Sequence, residues 1–303
     1  MNRILLRWAL VAAVCGAARY AGAVELAPTP QDPVMADLYA RAQTLFAKAG
    51  DPGMLEMPAQ ASRWPCPVTE LDMRRYAGAL NPDELPASAR KVLRAGRANL
   101  GMSFTTLHKD VVIVPISGQC KDGVLDGPVV YLIEYTSVTE SPIMLEERRS
   151  RSWVATQVAK GDIVPDSYLL SVIKPLSARI TYKDPAKQAQ MKSVAAPEVK
   201  TLTVMVRLIH EPDGSRLAMI QELQIGDAPK QWSTMFTVPQ GNQKVESTMY
   251  SGSQLQSITR MKAGVLHGET RTMPMTYGTV TVPGTTTCYD EGEILRTARC
   301  DVD

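Results

Sequence analysis

The sequence predicts an α+β fold: a small helical N-terminal region followed by a mainly antiparallel β-meander. Three observations carry this. Apolar residues recur at helical spacing between Met35 and Ala49, strand-like patterns dominate from about residue 103, and glycine-bearing turns punctuate the later chain. With 303 residues and 45% apolar side chains, the chain can bury a real core. No long block of like charge marks disorder.

The first element is a signal peptide over 1–23. Arg3 and Arg7 form a positive start, an apolar run begins at Trp8, and Ala21-Gly22-Ala23 is a small-residue cleavage site before Val24. The apolar run is too short to span a bilayer, which needs about 20 residues. A lipid anchor at Cys15 stays open, although Val14 before it is larger than such sites prefer. The expected location is therefore the periplasm, with no membrane insertion after cleavage. Removing Arg3, Arg7 and Arg19 from the 33 basic residues leaves 30 against 31 acids, a formal charge of −1. That balance gives no electrostatic case for nucleic acid as a partner.

Cleavage also removes Cys15 and leaves Cys66, Cys120, Cys288 and Cys300. An even count in an exported chain reads as two disulfides. Three pairings are possible. Cys66–Cys120 and Cys288–Cys300 close the nearest loops, and the shorter one is worth about 3 kcal/mol of chain entropy. Cys-x-x-Cys is absent and His108, His210 and His267 lack ligand spacing, so no metal and no cofactor are expected.

Residues 24–110 form the helical N-terminal region. A Pro-rich leader ends at Asp32, which can cap a helix with Pro33 in its first turn, and Gly50 stops it. Residues 51–70 read as irregular. A second helix is expected from Asn81, with Glu84 completing a capping box, through Val92 and Leu93 to about Leu100. Residues 111–303 form the antiparallel β region. Val111–Val114 and Val129–Ile133 are apolar runs, and Leu202–Ile209 and Leu217–Ile225 flank the turn Glu211-Pro212-Asp213-Gly214. Lys230–Val238, Gln243–Tyr250 and Leu255–Met261 continue the meander. Glu146–Arg149 fits a helix or an edge strand, and Pro185–Pro197 a short helix or a loop.

The most specific feature is a repeat. Lys121-Asp122-Gly123-Val124-Leu125-Asp126-Gly127 recurs as Lys262-Ala263-Gly264-Val265-Leu266-His267-Gly268. The first glycine of each copy suits a turn with positive φ, and the second a bend or close backbone approach. Looser echoes occur at Tyr250–Leu255, Tyr289–Leu295 and Pro212–Leu217. Repetition of this kind predicts hairpins that stack on a shared core.

The segment 250–295 resembles the MORN-repeat variant of YwqK-type proteins, whose units read Tyr-x-x-Gly-x-Leu followed by Lys-x-Gly-x-x-x-Gly, with 117–132 as an isolated further copy. The resemblance departs from the family at 141–200, where no repeat is visible. It implies an open meander of MORN-like hairpins that serves as an interaction scaffold, some relatives being antitoxins. On that basis Gly123, Gly127, Tyr250, Gly264, His267, Gly268, Tyr289 and Gly292 are the candidate binding residues.

The chain offers no catalytic constellation to name. Gly-x-Ser-x-Gly, a phosphate-cradling loop and a dinucleotide fingerprint are all absent from the sequence. His267 and His210 sit beside turns and read as half-exposed loop residues, and His108 as a strand-end residue. Glu291 and Glu293 flank Gly292 in a turn and read as solvated. The expected function is an exported, non-catalytic protein-binding module of the bacterial envelope, in its sharpest form an immunity protein against a secreted toxin. An envelope assembly or maintenance factor and a periplasmic hydrolase are the alternatives.

Overall fold

The computed structural model describes residues 25–51, 53–58, 63–76, 80–85, 105–193, 199–209, 215–227, 229–263, 265–277, 280–295 and 300. The signal segment 1–23 and the expected helix beyond residue 85 lie outside them.

Helix α1 spans Pro33–Lys48. Asp32 caps it as its sequence suggests, the carboxylate accepting from the Met35 N–H at 2.8 Å. A short helix α2, Glu70–Tyr76, follows. The sequence gives no clear sign of it, and Thr69 Oγ1 accepts from the Asp72 N–H at its start. Residues 82–85 form a turn. Half of the expected capping box is present there, since the Asn81 N–H donates to Glu84 at 2.7 Å. The Asn81 side chain does something else. Its Oδ1 accepts from the His108 N–H at 2.6 Å and its Nδ2 donates to the His108 carbonyl at 3.4 Å. The amide thereby mimics a neighbouring strand on an edge that would otherwise present open backbone groups.

The rest is β-structure: β1 Thr105–Ser117, β2 Cys120–Lys121, β3 Val124–Leu125, β4 Gly127–Glu140, β5 Met144–Ala159, β6 Asp162–Ile163 and β7 Tyr168–Tyr182. Helix α3, Pro185–Ser193, interrupts. Then come β8 Val199–Leu208, β9 Arg216–Ile225, β10 Gln231–Gly241, β11 Lys244–Ser251, β12 Gln254–Lys262, β13 Val265–Leu266, β14 Gly268–Thr272, β15 Met275–Tyr277, β16 Val280–Val282, β17 Thr285–Asp290 and β18 Glu293–Leu295. Fourteen of the strands make one sheet in the order β1-β4-β5-β7-β8-β9-β10-β11-β12-β14-β17-β18, with β6 and β13 as short side pairings on β5 and β12. Every pairing among the described residues is antiparallel.

β1 starts at Thr105, ahead of the division at 110/111 drawn from the sequence, so that division falls inside a strand. A bulge sits there, with Asp110 at φ 52° between Lys109 and Val112. Glu146–Arg149 lies in neither a helix nor an edge strand: β5 is an interior strand, paired with β4 and β7 over most of its length.

The sheet has two unequal faces. On one, α1 presses Met35, Leu38, Tyr39, Ala42 and Leu45 onto Val172, Val204, Val206, Ala218, Ile220 and Phe236. Tyr39 meets Phe236 edge to face at 5.0 Å, and its hydroxyl donates to the Ala27 carbonyl. On the opposite face Trp64, Cys66 and Val68 cover Val129, Tyr131, Ile133, Val154 and Val158. The Cys66–Cys120 disulfide, Cα–Cα 5.8 Å, pins that covering segment to the sheet. The Cys288–Cys300 disulfide, Cα–Cα 5.3 Å, ties the C-terminal stretch to β17. Both pairings are those that close the nearest loops.

A buried carboxylate joins the sheet to the N-terminal arm. Glu134 on β4 is 6% exposed and receives Arg149 Nε at 2.6 Å and Arg151 Nε at 2.8 Å from β5. Arg151 also donates to the Leu55 carbonyl at 2.8 Å. Burial pushes the Glu134 pKa upward, but the two guanidinium groups outweigh it and hold the carboxyl below its usual range.

Candidate functional site: a rim of glycine turns

A meander reverses at alternating ends, so every second turn falls at the same end of the sheet. The turns at Asp122-Gly123, Lys160-Gly161, Asn242-Gln243, Ala263 and Glu291-Gly292 all lie at one end, after β2, β5, β10, β12 and β17. Three of the five pair a non-glycine residue near φ +50° with a glycine at positive φ, and Asn242-Gln243 places two non-glycine residues there, the conformation of a tight two-residue hairpin turn. Gly264 itself lies outside the described residues, as do His210 and the turn Glu211–Gly214.

The two repeat copies fold alike across this rim. In the first, the Asp126 N–H donates to the Gln119 carbonyl at 3.0 Å, the Gly161 N–H to the Leu125 carbonyl at 2.9 Å, and the Lys160 N–H to Asp126 Oδ1 at 3.1 Å. In the second, the His267 N–H donates to the Arg260 carbonyl at 3.0 Å, the Gly292 N–H to the Leu266 carbonyl at 2.8 Å, and the Glu291 N–H to His267 Nδ1 at 3.5 Å. Asp126 and His267 hold the same position, and the side chain of each accepts from the first residue of the next turn. Gly127 and Gly268 open the following strands, β4 and β14, at φ 101° and 84°. They pair with Val158 and Tyr289.

Of the candidate binding residues, Gly123, Gly127, His267, Gly268, Tyr289 and Gly292 therefore gather at the rim. Tyr250 does not. It sits near the far end of β11 with its ring 5.9 Å from Phe236, on the face that α1 covers. His267 is 5% exposed, not the half-exposed loop residue expected, because the 290–293 turn closes over it with Asp290 Oδ1 at 3.4 Å from Nδ1. Sequence reasoning misses Asp126, Lys160 and Gly161. Gly161-Asp162-Ile163 against Gly292-Glu293-Ile294 is the signal that could have found Lys160 and Gly161.

A shallow cavity of about 250 Å³ opens beside the first copy, lined by Pro67, Val68, Leu125, Arg75, Lys160 and Asp162 among others. The Arg75 guanidinium donates to the Gly161 carbonyl at 3.1 Å and stands between Asp72 at 3.3 Å and Asp162 at 3.1 Å. The cavity is smaller than the ~300 Å³ at which small-molecule pockets begin. It has the size for a single side chain.

His108 does not line this cavity. Its ring packs edge-on to Tyr135 at 5.1 Å, and burial followed by the Arg74 charge pushes its pKa down. Among the described residues no group of three His, Cys, Asp or Glu side chains could hold a metal. No described helix is long and apolar enough to cross a membrane. Comparison of the chain with protein-family models, curated proteins and solved structures finds no match to any of them.

Proposed function

We propose that the chain is an exported, non-catalytic protein-binding module of the bacterial envelope that grips its partner with the turn rim. On this proposal its hairpins are related to MORN-type repeats, and its sharpest form is an immunity role against a secreted toxin. The observation that carries it is the duplicated turn geometry. The same three hydrogen bonds recur in two places far apart in the chain, and they hold exposed turns in fixed conformations at one end of the sheet. Rigid turns on a strand scaffold lose little entropy on binding, which favours recognition by surface contact. The shallow cavity at the first copy would take one anchoring side chain of the partner.

The test places a photo-crosslinking residue at Asn242 on the rim and, as control, at Gln254 at the other end of the sheet, both exposed. The host expresses each variant with its own leader, and adducts from the periplasmic fraction are identified by mass spectrometry. The expected result is the chain in that fraction with Val24 as its first residue, and one dominant protein adduct from Asn242 alone. A toxin-like partner selects the immunity form, and resident envelope machinery the assembly form. Equal adducts from both positions, or none from Asn242, would overturn the proposal.

A further inference from the structure

The strand register places four methionines side by side. Met205 on β8 is the direct partner of Met219 on β9, Met219 of Met235 on β10, and Met235 of Met249 on β11. Direct antiparallel partners share a face, so the four form one row across four neighbouring strands. The row continues through Ser171 and Val154 to Tyr131, which puts it on the face opposite α1. The principal helix-to-strand contacts among the described residues are α1 on β8 and β9, and α3 on β7. Met249 is 43% exposed and the other three are half-buried.

Adjacent strands lie about 4.8 Å apart, and a methionine has three rotatable bonds, so neighbouring thioethers in such a row can converge on one ion. The residues flanking the row on this face are Thr203, Gln221, Ser233 and Ser251 on one side, and Arg207, Leu217, Thr237 and Ser247 on the other. They include no carboxylate that would attract a hard cation. Arg207 is the one charge among them and stands beside Met205, so the ion belongs toward Met219, Met235 and Met249. Thioether sulfur is a soft donor that selects Cu(I) over Zn(II), Mg(II) or Ca(II), and it carries no proton to displace. All four cysteines after residue 23 are tied in disulfides, which leaves thioether as the soft donor on offer.

We infer that the Met205–Met219–Met235–Met249 row is a binding site for Cu(I), centred on its last three members. The site is separate from the turn rim and does not depend on the protein-binding proposal.

The experiment titrates the purified, disulfide-bonded chain against the Cu(I)–bicinchoninate complex under anaerobic conditions. One Cu(I) per chain is expected, bound at least about 100-fold more tightly than by free methionine, the gain that pre-placed donors give. Affinity should be the same at pH 7.5 and pH 5.5. The double variant M219L/M235L, close in volume and therefore folded, should lose affinity at least about tenfold. M261L, on the same face but paired with Val245, should not change it. Circular dichroism and the Tm of each variant confirm folding. Affinity no better than free methionine, retention of binding in M219L/M235L, or binding that disappears at the lower pH would each overturn the assignment.

Discussion

Replacing Glu134 by Gln removes the charge and keeps the shape. Its carboxylate sits between Arg149 and Arg151 at hydrogen-bonding distance, and its side chain is 8% exposed. Removing one partner of a fully buried pair costs about 3–5 kcal/mol. Here the cost is lower, because Arg149 is 59% exposed and can turn to water, whereas Arg151 is 24% exposed and is held by the Leu55 carbonyl. The amide oxygen also keeps one acceptor. A loss of about 2 kcal/mol at pH 7 follows. The folded carboxyl titrates below its ordinary value, so its stabilisation is complete above the unfolded pKa and is lost as pH falls through the folded one. Urea unfolding of both proteins should show a gap of about 2 kcal/mol at pH 7 that closes as pH falls below the ordinary carboxylate range and through the lowered folded-state pKa. Amide exchange near Leu55 should quicken in the variant. A gap that persists unchanged in acid would show that Glu134 acts by packing and not by charge, and would refute the reasoning.

Further outcomes follow from the same structure. Cys66→Ala with Cys120→Ala should destabilise by about 4 kcal/mol and Cys288→Ala with Cys300→Ala by about 3 kcal/mol, from loop closures of 54 and 12 residues, measured by urea unfolding. Gly161→Ala meets open space but a φ of +83°, so a loss of about 1 kcal/mol in the same assay reports backbone strain alone. His108 titrates below its ordinary value because it is buried. Its contribution is therefore complete above the unfolded pKa of about 6.5 and is lost as pH falls below it. His108→Phe should flatten the fall in stability between pH 7 and pH 5.

What the sequence reveals follows from how local each signal is. Asp32, Pro33 and Gly50 mark α1 within a few residues of its observed ends. The turn residues around β8 to β12 mark each reversal, so the meander there is legible, and nearest-loop closure suffices for the disulfides. β5 is not legible, because its first half is a run of charges, and two of them, Arg149 and Arg151, find their partner on the neighbouring strand: Glu134 sits 15 residues from Arg149 and 17 from Arg151. Asn81 carries a capping signal, yet its side chain serves a strand edge 27 residues away. At the rim the repeat names the glycines but not Asp126, since aspartate and histidine share no letter while sharing an acceptor role. Tyr250 matches the repeat by its letter, but strand alternation opposite Thr234 puts it on the α1 face, away from the rim.

The most direct test of the rim as the binding surface is hydrogen exchange of the chain alone and with its crosslinked partner, added as purified protein. Slowed exchange confined to 121–127, 160–163, 241–244 and 290–293 is the expected result. Protection centred on α1 or on the turn at 251–253, at the opposite end of the sheet, would contradict it.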